Sequence, residues 1–469
     1  MINEKARSKI DLFLILSFLG VALLIQYSSD FSETQRRLFF VLIISYFWVS
    51  SLILYAKIQL DLHMFEPFSI ISLLYLCVFI IKPIVDLTTN SMVEHGVNVI
   101  NGGVKATCLF TAGYTVFCFS YYISRAEFVS RLFLVQTGED EKISSSQWNI
   151  SLLYIIWAAA FSLSLLGMIS SGLSLRYIFS FGREGKFTVD ESKTALLFLT
   201  NFGITTITLW LMILEYSRNK AAKIFITVVT LIYIIMRNSR WLMLVFILAP
   251  LTLNYLKKKR EPRLLNITVI ALIALAIFAW MQANRYSLRT GGAIQGWGKD
   301  GLTLAVMFAP MGTDFSTYRL FYSMVERFPE SYNYMYGTTF LYMFVLFIPR
   351  RIWPGKPENP VRDMIEHSLN RYARVSGTAV ANIGEFYANF GVLGVIIGMY
   401  LFGYGAKCLR NLVYGDREHV YKPVEKDAMI LYSIMFPLLF QWAARGNFSG
   451  NFYMTVFACL PFIIKKALL

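Results

Sequence analysis

Apolar positions in this chain do not recur at the three- and four-residue intervals of a helix with one wet face. They come instead in long, nearly uncharged runs, near 10–28, 38–56, 67–86, 104–123, 149–169, 195–215, 222–236, 241–256, 264–282, 385–405, 428–443 and 451–464. A helix crossing the hydrocarbon of a bilayer needs roughly 20 mostly apolar residues, so the pattern predicts about twelve spanning helices and an all-α polytopic membrane protein. An even number of spans places both termini on one side. No small-residue cleavage site follows the first run, so it is expected to be a retained span rather than a removed leader.

One segment breaks the rhythm. Residues 283–384, between the ninth and tenth runs, hold LTLAVMFAPMGTDFSTYRLFYSMVERF (302–328) and TTFLYMFVLFIP (338–349), each too short or too interrupted to span. They predict amphipathic helices lying over the membrane part, and loops of this length are usually functional. The expected organisation is spans one to nine over 1–282, a large helical outer loop over 283–384, and spans ten to twelve over 385–469. No fixed-period repeat or low-complexity tract is present.

Composition changes the picture in one respect. The chain of 469 residues is 56% hydrophobic and only 16% charged, yet carries a formal net charge of +15. In a soluble protein that surplus would suggest nucleic acid, but here the cations sort first by side of the membrane, the inner ones facing membrane lipid. With the N-terminus in the cytoplasm, MINEKARSK, SRNKAAK, KKKREPR, 406–427 and the terminal lysines fall inside, as the positive-inside rule prefers. Lysine dominates those inner segments, whereas arginine dominates the outer ones. Arginine suits planar, bidentate contact with phosphate or carboxylate, so the outer face reads as built to hold an anion. The cysteines, Cys77, Cys108, Cys118, Cys408 and Cys459, lie in or beside apolar runs without any CxxC pair, and read as small buried hydrophobes.

Five outer segments supply the arginines. MRNSRW (236–241) places Arg237 and Arg240 three apart between two spans, on one face if the turn is helical. QANRYSLR (282–289) places Arg285 and Arg289 four apart where the ninth run ends. The loop 171–194 holds Arg176, PRRIWPGKP (349–357) holds Arg350, Arg351 and Lys356, and AARGNFSGN (443–451) holds Arg445. Any one of these could be an arginine snorkelling at a helix end; their recurrence on one face favours a shared anion. Candidate proton acceptors on that side are Glu385, in ANIGEFYANFGVLG at the start of the tenth run, then His367 and Asp314. A carboxylate such as Glu385 is either paired structurally or poised as a base. No DxD or His/Asp cluster marks a metal site, and Trp353 with the prolines of 349–357 reads as an interfacial anchor within rigid turns.

FIPRRIWPGKP followed by GTAVANIGEFYANFGVLGVIIGMYLFG (377–403), together with RNSRW and NRYS, resembles the bacterial oligosaccharide repeat-unit polymerases, the Wzy-type O-antigen and capsule polymerases. The resemblance covers the C-terminal half by motif and the whole chain by span layout. It implies an all-helical glycosyltransferase of the GT-C type in the bacterial plasma (inner) membrane, active on the outer, periplasmic side. The donor would be a growing glycan on undecaprenyl diphosphate and the acceptor a single lipid-linked repeat unit. No cofactor, nucleotide sugar or obligatory metal is expected, and a chain-length regulator protein is an expected partner. The arginines fit this chemistry, because a departing diphosphate accumulates charge that guanidinium groups can stabilise. The rival readings are an O-antigen ligase and a lipid-linked oligosaccharide flippase; the latter would favour inverted repeats and mid-span charges.

Overall fold

The computed structural model describes residues 31–60, 63–94, 96–124, 149–170, 198–237, 239–258, 264–283, 315–348, 352–369, 379–414 and 426–468. In chain order the helices are α1 (Glu33–Leu60), α2 (Pro67–Thr88), α3 (Gly103–Ile123), α4 (Ile150–Ser170), α5 (Phe202–Tyr216), α6 (Lys220–Met236), α7 (Arg240–Lys258) and α8 (Leu264–Ala283). Then come α9 (Thr317–Arg327), the single-turn α10 (Thr338–Leu341) and α11 (Met343–Leu346), α12 (Pro360–Leu369), α13 (Asn382–Asn411), α14 (Lys426–Ala444) and α15 (Phe448–Leu468). A two-residue hairpin, β1 (Val93–Glu94) against β2 (Val97–Asn98), links α2 to α3.

Among the described residues nine helices are long and apolar enough to cross a membrane: α1, α2, α3, α4, α5 with the turn before it, α7, α13, α14 and α15. Helices α6 and α8 occupy the predicted runs 222–236 and 264–282, and the predicted first span, 10–28, lies outside the described residues. Chain direction alternates from helix to helix. One end of the bundle gathers the start of α1, the α2–α3 hairpin, the starts of α5, α7, α13 and α15, and all of α9 to α12. At the other end Tyr154 meets Ser217 at 2.7 Å, Tyr216 and Lys465 both bond Asp427 (2.6 and 2.5 Å), and Glu66 pairs with Arg410 at 3.1 Å.

Two packed cores lie side by side. The first joins α1, α2, α3, α9, α12 and α13, and the second α4, α5, α6, α7 and α15, with Tyr255 and Leu256 of α7 and Cys459 of α15 reaching the first. Helix α14 contributes a full face to each. Its Ile430, Ile434 and Leu438, four residues apart and so on one face, pack into the second core, while Leu431, Tyr432, Phe436 and Leu439 enter the first. Tyrosine hydroxyls buried in such a bundle need partners, and Tyr75 donates to Asn382 Oδ1 and Tyr114 to Ser72 Oγ, both at 2.8 Å.

Helix α9, predicted to lie over the membrane part, is bolted to it. Tyr318 Oη and Arg319 Nη2 donate to Asp86 Oδ2 at 2.5 and 2.6 Å, Arg319 Nη1 reaches the Val93 carbonyl at 2.9 Å, and Lys82 also pairs with Asp86. Asp86 is buried while the Lys82 and Arg319 side chains stay 19% and 16% exposed, so removing it takes the shared acceptor from two partly buried cations, a loss smaller than the about 3–5 kcal/mol of a fully buried pair. Asp86→Ala is accordingly expected to lower the thermal unfolding midpoint in detergent and to expose α9 to limited proteolysis.

Helix α13 is not one rod. Its helical path breaks at Phe390 (φ −141°, ψ 17°) and Gly391 (φ 62°, ψ −141°). Residues 382–389 form a short, buried half-helix, whereas the piece after the break exposes Leu393, Ile397 and Leu401 on a lipid-facing side. The carbonyls left unpaired at the end of the half-helix are taken by the loop: Met335 N donates to Ala388 O at 2.9 Å and Tyr336 N to Asn389 O at 3.1 Å. Gly391 sits in a backbone region open essentially only to glycine, and a Cβ there would stand 2.7 Å from the Tyr334 hydroxyl. Gly391→Ala is expected to cost about 1–3 kcal/mol from the backbone alone, read as a fall in the detergent-solubilised unfolding midpoint.

Candidate active site

The loop-bearing end of the bundle is organised around the first two turns of α15. A helix start leaves several backbone N–H groups without partners, and at depth each must be satisfied. Asn447, tolerated at φ 97° as asparagine often is, caps the helix by accepting from Gly450 N at 3.2 Å. Glu385 takes two more: one carboxylate oxygen accepts from Asn447 N at 2.6 Å and from Phe448 N at 2.9 Å. This side chain, only 1% exposed, therefore holds the turn Arg445–Phe448 from the buried half-helix of α13. Gly446 allows the close approach, since a Cβ would lie 2.9 Å from Val380 O and 3.1 Å from Glu385 Oε2.

The knot extends into the loop. Asn389 accepts from Gly337 N at 2.9 Å and donates to Thr339 Oγ1 and to Glu385 O, both at 2.8 Å. Ser449 Oγ donates to Thr339 O at 2.5 Å. One turn further along α15, Tyr453 Oη donates to Met343 O at 2.5 Å, and Phe198 packs edge-on against its ring at 5.1 Å. Half-helix, loop helices, the turn before α5 and the start of α15 thus meet in one place.

The expected site residues fall into three groups. Arg445 stands on the turn that Glu385 holds, with its carbonyl accepting from Asn451 Nδ2 at 2.8 Å, and its half-buried side chain belongs to the same end of the bundle as that of Arg240 at the first residue of α7. Arg237 and Lys356 are drawn onto backbone carbonyls. Arg237 Nη1 donates to Thr200 O and to Tyr233 Oη at 3.1 Å, and Lys356 Nζ donates to Leu346 O and Ile348 O at 2.9 Å each. Asp314, Arg176, Arg285, Arg289, Arg350 and Arg351 lie outside the described residues.

His367 is in the last turn of α12, its ring stacked on Tyr332 with centroids 4.4 Å apart. Four residues earlier, burial pushes the Asp363 carboxyl above its usual range, with the nearby His367 opposing the shift and Glu358 and Glu366 adding to it. Among the described residues no group of three His, Cys, Asp or Glu side chains could hold a metal ion. Asp86, Arg319, Asn389, Thr339 and Ser449 were not expected from the sequence. Each has a partner 50 or more positions away, up to 233 for Asp86 and Arg319, that only the fold brings near.

These features define a polytopic all-α membrane protein in which a long, structured loop and several helix starts close over one end of the bundle. The profile of the family described as O-antigen polysaccharide polymerase Wzy matches residues 10–469, nearly the whole chain, and the chain belongs to that family. With membership come the general role, polymerisation of O-antigen repeat units by a glycosyltransferase-type activity, and a multi-pass place in the inner membrane with lipid-linked oligosaccharide units as substrate. No curated protein and no solved structure matches the chain.

Proposed function

We propose that this protein transfers the growing glycan from undecaprenyl diphosphate to a hydroxyl of the incoming lipid-linked repeat unit, at the periplasmic face, with both chain termini in the cytoplasm. In the step, the acceptor oxygen bonds to the anomeric carbon of the donor's reducing-end sugar. The bond from that carbon to the diphosphate breaks, undecaprenyl diphosphate leaves, and the hydroxyl proton passes to a base. The observation that carries the reading is the fixed Arg445 turn, held by a buried carboxylate beside the start of α15.

Arg445 and Arg240 are assigned to the leaving diphosphate, where preorganised guanidiniums match developing negative charge. Arg285, Arg289, Arg350, Arg351 and Arg176 are further candidates from the same side. Arg237 and Lys356 are assigned to the framework, because their donors already serve carbonyls. Glu385 is assigned as a positioning residue for Arg445: a carboxylate already accepting two backbone N–H groups gives up that turn if it takes a proton. His367, with Asp363 beside it, is then the first candidate for proton acceptor and Asp314 the second. The proposal requires no metal and no other cofactor; a chain-length regulator remains a proposed partner.

Gene deletion separates the transferase readings. Loss of a polymerase leaves single repeat units on lipid, whereas loss of a ligase leaves finished polymer on undecaprenyl diphosphate, and loss of a flippase leaves the units on the cytoplasmic side. Single units at the periplasmic face are expected; polymer retained on the carrier would favour the ligase.

A further inference from the structure

The sequence predicts an amphipathic helix over 338–349 lying on the membrane part, with Trp353 as an interfacial anchor. Its residues Phe340–Ile348 include no charged side chain, and what they turn outward is apolar: Leu341, Phe344 (59% exposed) and Phe347, continued by Ile352 (76% exposed) and Trp353. A water-facing lid seldom presents a contiguous set of this kind.

Its depth can be read from α15. The spanning part of that helix, Phe448–Lys465, has 18 residues, which at 1.5 Å each give roughly 27 Å, slightly less than a hydrocarbon core of about 30 Å. The whole of it is therefore needed to cross, and Phe448 stands at the edge of the core. Tyr453, five residues on and roughly 7 Å deeper, is the residue that bonds the Met343 carbonyl. Helix α11 thus lies beside the first turns of α15, at the boundary of headgroups and acyl chains.

Two further observations agree. The outward surface is continuous with the lipid-facing side of α13, through Phe340 stacked on the exposed Phe390 (6.2 Å) and on to Leu393 and Ile397. The backbone is also prepared for a low-dielectric setting. Phe340 N, Leu341 N, Tyr342 N, Val345 N, Leu346 N and Ile348 N all find carbonyls within the segment, from Gly337 to Val345. The carbonyls at its end, Leu346 O and Ile348 O, are met by Lys356, which reaches back past the Trp353–Lys356 turn. Pairing backbone groups within the protein rather than with water is what lipid demands.

We propose that Thr338–Ile348, together with Ile352 and Trp353, is an in-plane membrane element whose Leu341, Phe344, Phe347, Ile352 and Trp353 are immersed in the outer boundary of the bilayer hydrocarbon. The partner of this surface is lipid, not water, a soluble protein or a second copy of the chain. Because the element is tied through Thr339 and Ser449 to the knot around Glu385, the bilayer itself becomes one wall of the candidate site.

The test places an environment-sensitive fluorescent amino acid at position 344, and in a second protein at 353, in the otherwise unaltered full chain. Each is reconstituted in phosphatidylcholine–phosphatidylglycerol vesicles, with position 358, on the exposed Glu358, as the aqueous control. Lipids brominated near the headgroup end of their chains are expected to quench 344 and 353 several-fold more than 358, and aqueous iodide to quench 358 several-fold more than 344 or 353. Iodide quenching at 344 and 353 equal to that at 358 would overturn the proposal. Protection from both quenchers would overturn it as well, since the surface would then be covered by protein. Two label sites, each checked for a monodisperse elution profile before reconstitution, keep a folding failure at one from deciding the result. The measurement reads position alone, so its outcome is independent of whether the protein polymerises glycans.

Discussion

Arg445→Ala is expected to leave a folded protein that builds almost no long glycan. Main-chain bonds hold the turn it stands on: Arg445 N donates to Gln441 O, Arg445 O accepts from Asn451, Gly446 N donates to Val380 O, and Glu385 holds the amides of Asn447 and Phe448. On the proposed mechanism, what is removed is a guanidinium assigned to the charge that develops as the diphosphate departs. Loss of one preorganised donor of that kind typically costs about 3–4 kcal/mol of barrier, on the order of 10²–10³ in rate. Lipid-linked single units should then accumulate and the ladder of long chains disappear on a gel, at unchanged protein level and unfolding temperature. Arg240→Ala is expected to behave alike. Arg445→Lys should recover only part of the rate, because an ammonium keeps the charge but not the two-pronged geometry. A wild-type ladder from both alanine variants would end the diphosphate assignment.

Glu385→Gln is expected to lower the rate about 10²-fold by a different route. Its oxygen can take the place of Oε2 only as a weaker, neutral acceptor, and the amide nitrogen in the place of Oε1 sets a donor against Phe448 N, which now approaches Oε1 at 3.2 Å, so the Arg445–Phe448 turn shifts. Displacement of a catalytic group by about 1 Å can cost 10²-fold. Because the defect is positional, the pH dependence of the residual activity should keep the wild-type shape. If Glu385 were instead the base, the limb of the profile that reports the base would vanish in the variant. His367→Gln provides the contrast: it is expected to remove that limb while leaving the unfolding temperature unchanged. Loss of the limb in Glu385→Gln together with its retention in His367→Gln would reverse the two roles.

The contrast between these residues also explains which parts of the molecule could be read in advance. Long apolar runs announce spanning helices because the bilayer imposes both length and composition, and the described helices follow those runs closely. The break in α13 was less legible. NFG in the middle of an apolar run carries a glycine, but only the φ of 62° and the loop amides at Ala388 and Asn389 reveal that the run holds a buried half-helix and a separate lipid-facing piece. Glu385 was visible as an acid in apolar surroundings, yet its partners stand at Asn447 and Phe448, beyond any local window. Lys356 looked like an anion ligand, whereas its position eight and ten residues after two terminal carbonyls of a short helix is the signal for a cation closing a helix end. The Asp86–Arg319 bolt had no local signal at all, since it joins a span to a loop helix 233 positions later. Charge type and spacing thus pointed to one end of the bundle, and the fold shows that two of its cations, Arg237 and Lys356, reach backbone carbonyls there.

The most direct measurement is reconstitution of the purified full-length protein in lipid vesicles with a synthetic or purified undecaprenyl-diphosphate-linked repeat unit as the sole substrate. The account predicts lipid-linked products lengthening by whole repeat units, with undecaprenyl diphosphate released in step and both lost in Arg445→Ala. Unchanged single units from the wild-type protein, under conditions where it remains folded and carries the family's substrate, would contradict it.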